Sequence, residues 1–234
     1  MRAIAWALLT GGLCLPLPRL AAADEPRPDN TPPEGFVALF NGRDLTGWKG
    51  LVGNPLTRAR MSPEALASAQ EDADAKMREH WSVAEGALEY DGRGESLCTD
   101  RDYADFEMYV DWKILPKGDS GIYLRGSPQV QIWDEPEVGS GGLFNNQIHP
   151  SKPLAVADRP VGEWNTMFIR MVGERVTVEL NGVLVVDDVV MENYWDRKQP
   201  IFTTGQIELQ HHGNRLWFKN IYLRELPREA AAGE

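Results

Sequence analysis

The sequence predicts an all-β domain, an antiparallel sandwich or barrel that carries one helical insertion. Three observations support this. Nearly every segment after Trp81 has the apolar and polar alternation of a strand. The dipeptide Asn181-Gly182, a strong signal for a tight hairpin, separates two such segments. A helical pattern is clear over one stretch alone, and many short strands with little helix are typical of sandwiches and barrels.

The strands follow from the alternation and from the turn residues that bound each segment. The hairpin at Asn181-Gly182 is the most secure pairing, and Gly213-Asn214 indicates a second hairpin. Predicted strands cover residues 105–114, 121–125, 129–134, 164–172, 175–180, 183–187, 206–212 and 216–223.

The helical stretch covers residues 62–77. Ser62 is a suitable N-cap, and Pro63 occupies the first helical position, where a missing N–H costs nothing. The apolar stripe of this helix is thin and rich in alanine, so we expect the helix to lie on the surface. We therefore interpret residues 51–80 as an insertion into a β domain.

The N-terminal residues have the pattern of an export signal. Arg2 is followed by an interrupted apolar run, and Ala21-Ala22-Ala23 offers a cleavage site, so we predict a signal peptide at residues 1–23. The apolar run is too short to span a membrane. The remaining organisation is a proline-rich tether at 24–34, one domain at 35–226 and a tail at 227–234. The mature protein is then expected to be periplasmic or extracellular.

The charge excludes several partners. The formal net charge is −11, and loss of Arg2 and Arg19 with the signal would make it −13. We therefore expect no nucleic-acid partner, no binding to an anionic membrane and no polyanionic glycan. Cys98 would be the one remaining cysteine, so no internal disulfide is possible, and the thiol is either a packed residue or a nucleophile.

Alternation sorts the polar side chains onto one side of each strand. These outward positions hold aromatic rings, amides, acids and an arginine, whereas a purely solvated face usually carries Lys, Glu, Ser and Thr. Aromatic rings stack on sugars and planar polar groups bind hydroxyls, so a carbohydrate-binding face is favoured over a solvated one, provided that these strands share one sheet. The candidates for this face among the outward residues are Glu107, Tyr109, Tyr123, Arg125, Gln131, Trp133, Glu208, Gln210 and His212.

Other chemistries have less support. The sequence has no nucleophile elbow, no P-loop and no zinc-protease motif. His211 and His212 are adjacent, so in a regular strand they point to opposite faces and cannot chelate one ion. We predict no cofactor and no metal site, with loop-bound calcium near Asp134 left open.

Several segments together resemble one family, the 3-keto-disaccharide hydrolase domain family. They occur in the order of that family and span almost the whole chain past Gly35. The segments are FVALFNGRDLTGW (36–48), WSVAEGA (81–87), YADFE (103–107), DSGIYLR (119–125), VQIWD (130–134), GEWN (162–165), LNG (180–182), GQIELQHHG (205–213) and FKNI (218–221).

The resemblance implies a concanavalin A-like jelly roll that acts on glycosides whose sugar carries a ketone at carbon 3. Such a ketone acidifies the proton on carbon 2, so a base removes that proton, the substituent on carbon 1 leaves, and water adds back. The site needs a base, a donor to the enolate oxygen and an acid for the leaving group. Members of the family are usually exported and work beside a separate sugar oxidoreductase.

Roles follow where motif and alternation agree. Glu107 is the first choice for the base, with a salt bridge to Arg125 as the alternative. Arg125 would hold the enolate oxygen or sugar hydroxyls, and His212 would serve as an acid or a second base because imidazole changes charge near neutral pH.

The remaining site residues would bind substrate. Trp133 is the expected stacking platform, and Gln131 and Gln210 would position hydroxyls, with Tyr109 and Tyr123 beside them. Asp134 belongs to a family motif but has core parity, so it either contacts substrate or caps a turn. Glu208 departs from the family pattern, where a small residue is common, and would either extend the site or mark a different substrate.

Two other classes of function remain open at this stage. The same face would suit a non-catalytic carbohydrate-binding module, because sandwiches of this kind often bind sugars without cleaving them. A cell-surface interaction domain is the third possibility.

Overall fold

The computed structural model describes residues 28–227. The predicted signal peptide, the first residues of the predicted tether and most of the C-terminal tail lie outside the described residues. The described part of the tether is held against the domain: the Asn30 side chain donates to the Gly86 carbonyl over 2.8 Å, and the Asn30 N–H donates to the side chain of Asn220 over 2.6 Å.

The described residues form two antiparallel sheets that pack face to face, as the sequence predicts. An eight-stranded sheet has the order β11-β10-β9-β6-β13-β4-β3, with β1 also paired to β13. A five-stranded sheet has the order β2-β5-β12-β7-β8. The strands are β1 Val37–Ala38, β2 Trp48–Gly50, β3 Trp81–Ala84, β4 Ala87–Tyr90, β5 Leu97–Thr99, β6 Phe106–Ile114, β7 Asp119–Leu124, β8 Ser127–Trp133, β9 Asn165–Val172, β10 Arg175–Leu180, β11 Val183–Val190, β12 Glu208–Leu209 and β13 Leu216–Glu225.

The core lies between the two sheets and is built from alternate residues of each strand. In β6 every second side chain is buried, from Phe106 through Met108 and Val110. Ile122 of β7 and Val130 of β8 oppose them from the five-stranded sheet and are fully buried. This alternation leaves the outer face of each sheet for polar and half-buried side chains.

The insertion contains two helices, α1 Pro55–Arg58 and α2 Pro63–His80. Ser62 caps α2 by accepting the Ala65 N–H, as predicted, whereas the short α1 was not predicted. The helix α2 packs against β2 so closely that a Cβ on Gly50 would lie 2.2 Å from the Ala73 carbonyl oxygen. Within residues 28–227, no helix has both the length and the apolar character needed to cross a membrane.

Of the two predicted hairpins, the structure contains one. The hairpin at Asn181-Gly182 is confirmed: β10 pairs with β11, and both turn residues have a positive φ. The hairpin at Gly213-Asn214 is wrong: β12 pairs with β5 and β7, whereas β13 pairs with β4 and β6. The chain there crosses from one sheet to the other.

Candidate functional site

A cleft of about 210 Å³ lies on the outer face of the five-stranded sheet, above β7, β8 and the end of β12. Its floor consists of side chains that alternate with the core residues of those strands, and its walls come from two loops, one between β8 and β9 and one between β11 and β12. The lining residues are Asp119, Tyr123, Pro128, Gln129, Gln131, Trp133, Phe144, Asn145, Tyr194, Gln210 and His212.

Strand register brings the floor residues together. Gly121 pairs with Gln131 across β7 and β8, and Asp119 pairs with Trp133. A Cβ on Gly121 would lie 2.8 to 3.0 Å from the side chain of Gln129 and would collide with it. Glycine at position 121 thus keeps the floor unobstructed and leaves room for the Gln129 side chain beside β7.

A chain of polar contacts ends at a carboxylate and imidazole pair. Gln129 donates to Gln131 over 2.6 Å, and Gln131 donates to Oδ1 of Asp119 over 2.7 Å. The other carboxylate oxygen, Oδ2 of Asp119, lies 3.5 Å from Nδ1 of His212. About half of the His212 side chain is exposed to solvent, and the residue lines the cleft. Because Asp119 occupies the Nδ1 side, Nε2 of His212 is the nitrogen available to a substrate.

Tyr123 provides a second polar group that keeps its proton. Its hydroxyl oxygen accepts a hydrogen bond from Nε2 of Gln210 over 3.2 Å. Burial raises the pKa of Tyr123, and the nearby charge of Glu208 raises it further. The hydroxyl therefore stays protonated at neutral pH, and its own proton is free to be donated to a ligand oxygen.

Aromatic side chains wall the cleft. Trp133 and Phe144 make an edge-to-face pair with centroids 5.1 Å apart, and the indole Nε1 of Trp133 is fixed by a 2.7 Å bond to the Gly139 carbonyl. Tyr194 stands on the loop between β11 and β12, which Trp195 ties to the Gly126 carbonyl over 2.7 Å. Such rings suit the apolar faces of sugars.

This geometry coincides with a sequence match to a known family. A family model described as the 3-keto-alpha-glucoside-1,2-lyase-like domain matches residues 35–224. The chain belongs to this family. The match confirms the predicted family. It also confirms the prediction of an enzyme of the 3-keto-glycoside hydrolase or lyase type.

The names of individual relatives fit the lyase-like family. The chain is 21% identical to a 3-keto-disaccharide hydrolase of Bacteroides thetaiotaomicron, over 82% of this chain and 79% of that protein. Two crystal structures from Parabacteroides distasonis ATCC 8503, each provisionally named a glycosyl hydrolase, share the fold. One has a TM-score of 0.65 at 23% identity and covers 86% of this chain and 100% of that chain. The other has a TM-score of 0.60 at 25% identity and covers 87% and 94%.

Half of the ten predicted site residues line the cleft of this lyase-like domain: Tyr123, Gln131, Trp133, Gln210 and His212. Their individual roles stay predictions. Gln131 has its amide group fully engaged by Gln129, Asp119 and backbone carbonyls, so its contacts position Asp119.

The prediction that Glu107 and Tyr109 share this face is wrong. Both lie on β6, which belongs to the eight-stranded sheet on the opposite side of the sandwich. Glu107 is paired with Arg170 and Arg224, and the Tyr109 ring packs between Phe36 and Phe168. Glu107 therefore cannot serve as the base for a ligand in the cleft.

The prediction for Arg125 is also wrong. Arg125 follows the end of β7 at a φ of 55°, so the strand alternation no longer applies and its side chain turns inward, with 1% exposure. Its guanidinium donates to the Ala104 and Gly173 carbonyls, each over 2.6 Å, and pairs with Asp105. The residue joins the two sheets and is out of reach of a ligand.

Asp134 and Glu208 lie outside the cleft as well. Asp134 caps a turn by accepting the Lys117 N–H over 2.8 Å, which was the alternative interpretation. Glu208 is on the outer face but is 2% exposed, because α1 lies over it with Arg58 3.9 Å away. Burial raises the Glu208 pKa from 4.5 to about 7, and Arg58 lowers it in part. The expectation that Glu208 extends the site is therefore wrong.

The structure adds residues that sequence reasoning missed. Asp119 belongs to a quoted family segment and shares the outward parity of Tyr123, so extending the alternation by two residues would have found it. Phe144 and Tyr194 stand on loops and carry no periodic signal. Cys98 is 1% exposed, and burial raises its pKa to about 12, so it is a packed residue rather than a nucleophile. Among residues 28–227, no group of three or more His, Cys, Asp or Glu side chains is placed to hold a metal ion.

Proposed function

We propose that this protein cleaves 3-keto-glycosides by removing the proton on carbon 2, eliminating the substituent on carbon 1 and adding water. The observation that carries the proposal is the pairing of His212 with Asp119 beside the protonated Tyr123, in a cleft walled by aromatic rings. Membership of the lyase-like family supports the substrate class.

His212 is the proposed base. Asp119 lies at Nδ1, so an imidazole that carries its proton there presents the lone pair of Nε2 to the cleft. That nitrogen would take the proton from carbon 2, and the electron pair of the broken C–H bond would pass into the ketone as an enolate. Asp119 stabilises the imidazolium that results, and Gln131 holds Asp119 in place.

Tyr123 is the proposed donor to the enolate oxygen. Its hydroxyl already accepts from Gln210, so its proton is directed away from that partner. A neutral donor of high pKa stabilises a developing oxyanion without first having to lose its own proton. This role replaces the one that the sequence assigned to Arg125.

Elimination and hydration complete the cycle. The bond between carbon 1 and the leaving oxygen breaks as the enolate collapses, and the leaving oxygen takes the proton held by the imidazolium. Water then adds its oxygen to carbon 1 and a proton to carbon 2, which gives the free 3-keto sugar and the alcohol. Trp133 would stack against the sugar ring throughout these steps.

Deuterium exchange tests this proposal directly. The full chain is incubated in D₂O with a 3-keto-α-glucoside, and NMR follows the proton on carbon 2 and the release of the alcohol. We expect exchange and release with the wild type, a loss of at least a hundredfold in kcat for His212→Ala, and partial rescue of that variant by added imidazole. Absence of exchange and release with every 3-keto-glycoside tested would overturn the proposal.

Two variants separate the base from its supports. His211→Gln is the matched control, since His211 bonds to Ser96 and does not line the cleft, and it should retain activity. Asp119→Asn should lower kcat far more than it raises KM and should shift the pH profile of kcat, as expected of a positioning residue. A parallel loss in His211→Gln and His212→Ala would contradict the assignment.

We also propose that the protein is exported and acts after a sugar oxidoreductase. The basic, apolar and small-residue pattern of residues 1–23 supports export. The 3-ketone of the substrate requires a prior reaction that oxidises the hydroxyl on carbon 3. Fractionation of cells that express the full chain tests export: recovery in the cytoplasm with residues 1–23 intact would contradict it.

A further inference from the structure

A second, smaller cavity of about 120 Å³ adjoins the catalytic cleft. Both are lined by Gln131, Trp133 and Phe144, so the aromatic pair stands at their junction. The loop between β8 and β9 supplies most of the remaining wall, which consists of Val138, Gly139, Gly142, Ser151, Lys152 and Pro153.

The cavity is apolar and holds few groups for sugar hydroxyls. Gln131 has its amide engaged within the protein, and the indole N–H of Trp133 is bonded to the Gly139 carbonyl. Ser151 and Lys152 are the other polar side chains of the lining. A sugar placed here would lose water from several hydroxyls and regain few hydrogen bonds, which disfavours it.

The shape of the cavity suits a flat ring. The planes of Trp133 and Phe144 meet at 72°, so the two rings form a corner against which a third ring can lie stacked on one and edge-on to the other. An apolar cavity of about 150 Å³ holds a benzene molecule, so a volume near 120 Å³ with an open side matches one aromatic ring.

We propose that this cavity, bounded by Val138, Trp133 and Phe144, is the subsite for the leaving group and that it selects an aromatic aglycone. The inference rests on the proposed function, since it assigns one half of the substrate of that reaction. The sugar would occupy the catalytic cleft over Tyr123 and His212, with carbon 1 directed towards the Trp133 and Phe144 corner.

The test compares benzyl and ethyl aglycones, whose leaving alcohols have similar basicity, and adds a disaccharide. The full chain is assayed with benzyl and ethyl 3-keto-α-glucosides and with a 3-keto-disaccharide whose aglycone is glucose. We expect kcat/KM for the benzyl compound to be at least tenfold above that of either other substrate, mainly through KM. Equal values for benzyl and ethyl, or preference for the disaccharide, would overturn the subsite while the proposed function stands.

Val138→Trp fills the cavity and has a matched control. Val183→Trp makes the same change at a half-exposed position where β11 begins, on the other sheet. The first variant should lose at least tenfold in kcat/KM for the benzyl substrate and less than twofold for the ethyl one, whereas the control should alter neither. If Val138→Trp does not fold, Phe144→Ala replaces it, and it should lose the benzyl preference. Equal effects of the cavity variant and the control would overturn the inference.

Binding separates failure of the subsite from failure of the reaction. If the wild type turns over no 3-keto-glycoside, the proposed function fails, and calorimetry with unoxidised benzyl and ethyl α-glucosides decides the subsite. At least tenfold tighter binding of the benzyl compound, lost in Val138→Trp, supports the aromatic subsite. Equal affinities overturn it.

Discussion

Replacing Glu208 by glutamine is expected to stabilise the protein above neutral pH and to change its stability little near pH 5. The carboxyl group is 2% exposed beneath α1, and burial raises its pKa from 4.5 to about 7 despite Arg58. A group whose pKa is raised on folding contributes stability that is complete below its unfolded value, near 4.5, and is lost as the pH rises through about 7. Glutamine does not titrate, so the variant avoids this loss.

The size of the effect follows from the two pKa values. The interval from 4.5 to about 7, at about 1.36 kcal/mol for each pH unit, corresponds to at most about 3 kcal/mol at pH 8. Relaxation of the insertion around the charge reduces this figure, so we expect about 1–3 kcal/mol. For a domain of this size, about 2 kcal/mol corresponds to roughly 4–8 °C in Tm.

Thermal unfolding followed by circular dichroism from pH 5 to pH 8 measures the effect. The matched control is Glu71→Gln, which makes the same change on the exposed face of α2. The Tm of Glu208→Gln should exceed that of the wild type at pH 8 and approach it at pH 5, and the control should follow the wild type throughout. Parallel curves for Glu208→Gln and the wild type would refute the reasoning.

Three further predictions test other parts of the structure. Glu107→Gln should leave kcat/KM for a 3-keto-glucoside within about twofold, because its sheet does not form the cleft; a loss above about tenfold in the same assay would contradict this. Arg125→Leu leaves Asp105 without its buried partner and should lower the free energy of unfolding, measured in urea, by about 3–5 kcal/mol; a change below about 1 kcal/mol would show that the pair is dispensable. The Glu192 carboxylate is partly buried, which acts to raise its pKa, yet backbone N–H groups of residues 147–149 lower it to about 2. Its contribution to stability is therefore complete above about pH 4.5 and is lost as the pH falls towards 2. In a plot of the free energy of unfolding against pH, Glu192→Gln should fall less steeply than the wild type over this acid range, and an unchanged slope would contradict this.

Local patterns predicted the elements well where strands are long or turns are specific. The alternation from Phe106 to Ile114 matches β6, and Asn181-Gly182 fixed a real hairpin because both residues accept positive φ. Ser62 and Pro63 likewise marked the start of α2 to the residue. In each case the deciding forces act within a few residues, so sequence alone carries the information.

The same alternation could not say which sheet a strand joins. It sorted Glu107 outward correctly, but outward from β6 is the far side of the sandwich from the cleft. Arg125 failed for a different reason: the strand ends at Leu124, and one residue at positive φ reverses the direction of the side chain. Strand pairing depends on residues that are far apart in the sequence, and a single residue at positive φ leaves no repeating pattern. Neither can therefore be predicted from the alternation.

Two of the family segments supply side chains that meet in the cleft. The segment 119–125 supplies Asp119 and Tyr123, and the segment 205–213 supplies Gln210 and His212, which contact them across β7 and β12. Sequence order separates the two segments by about eighty residues, so no local rule connects them. Other family segments supplied Glu107 and Arg125, which lie away from the cleft, so neither the resemblance nor the strand pattern alone located it.

The insertion determines how much of the outer face is open to a ligand. Because α1 covers Glu208 and α2 packs against β2, the face above β2, β5 and the start of β12 is closed, and the cleft is confined to β7, β8 and the loops beside them. The cleft of about 210 Å³ and the adjoining cavity of about 120 Å³ meet at Trp133 and Phe144. The position of the insertion, which sequence parity could not foresee, therefore confines the candidate site to one part of the outer face, beside the loops that carry Phe144 and Tyr194.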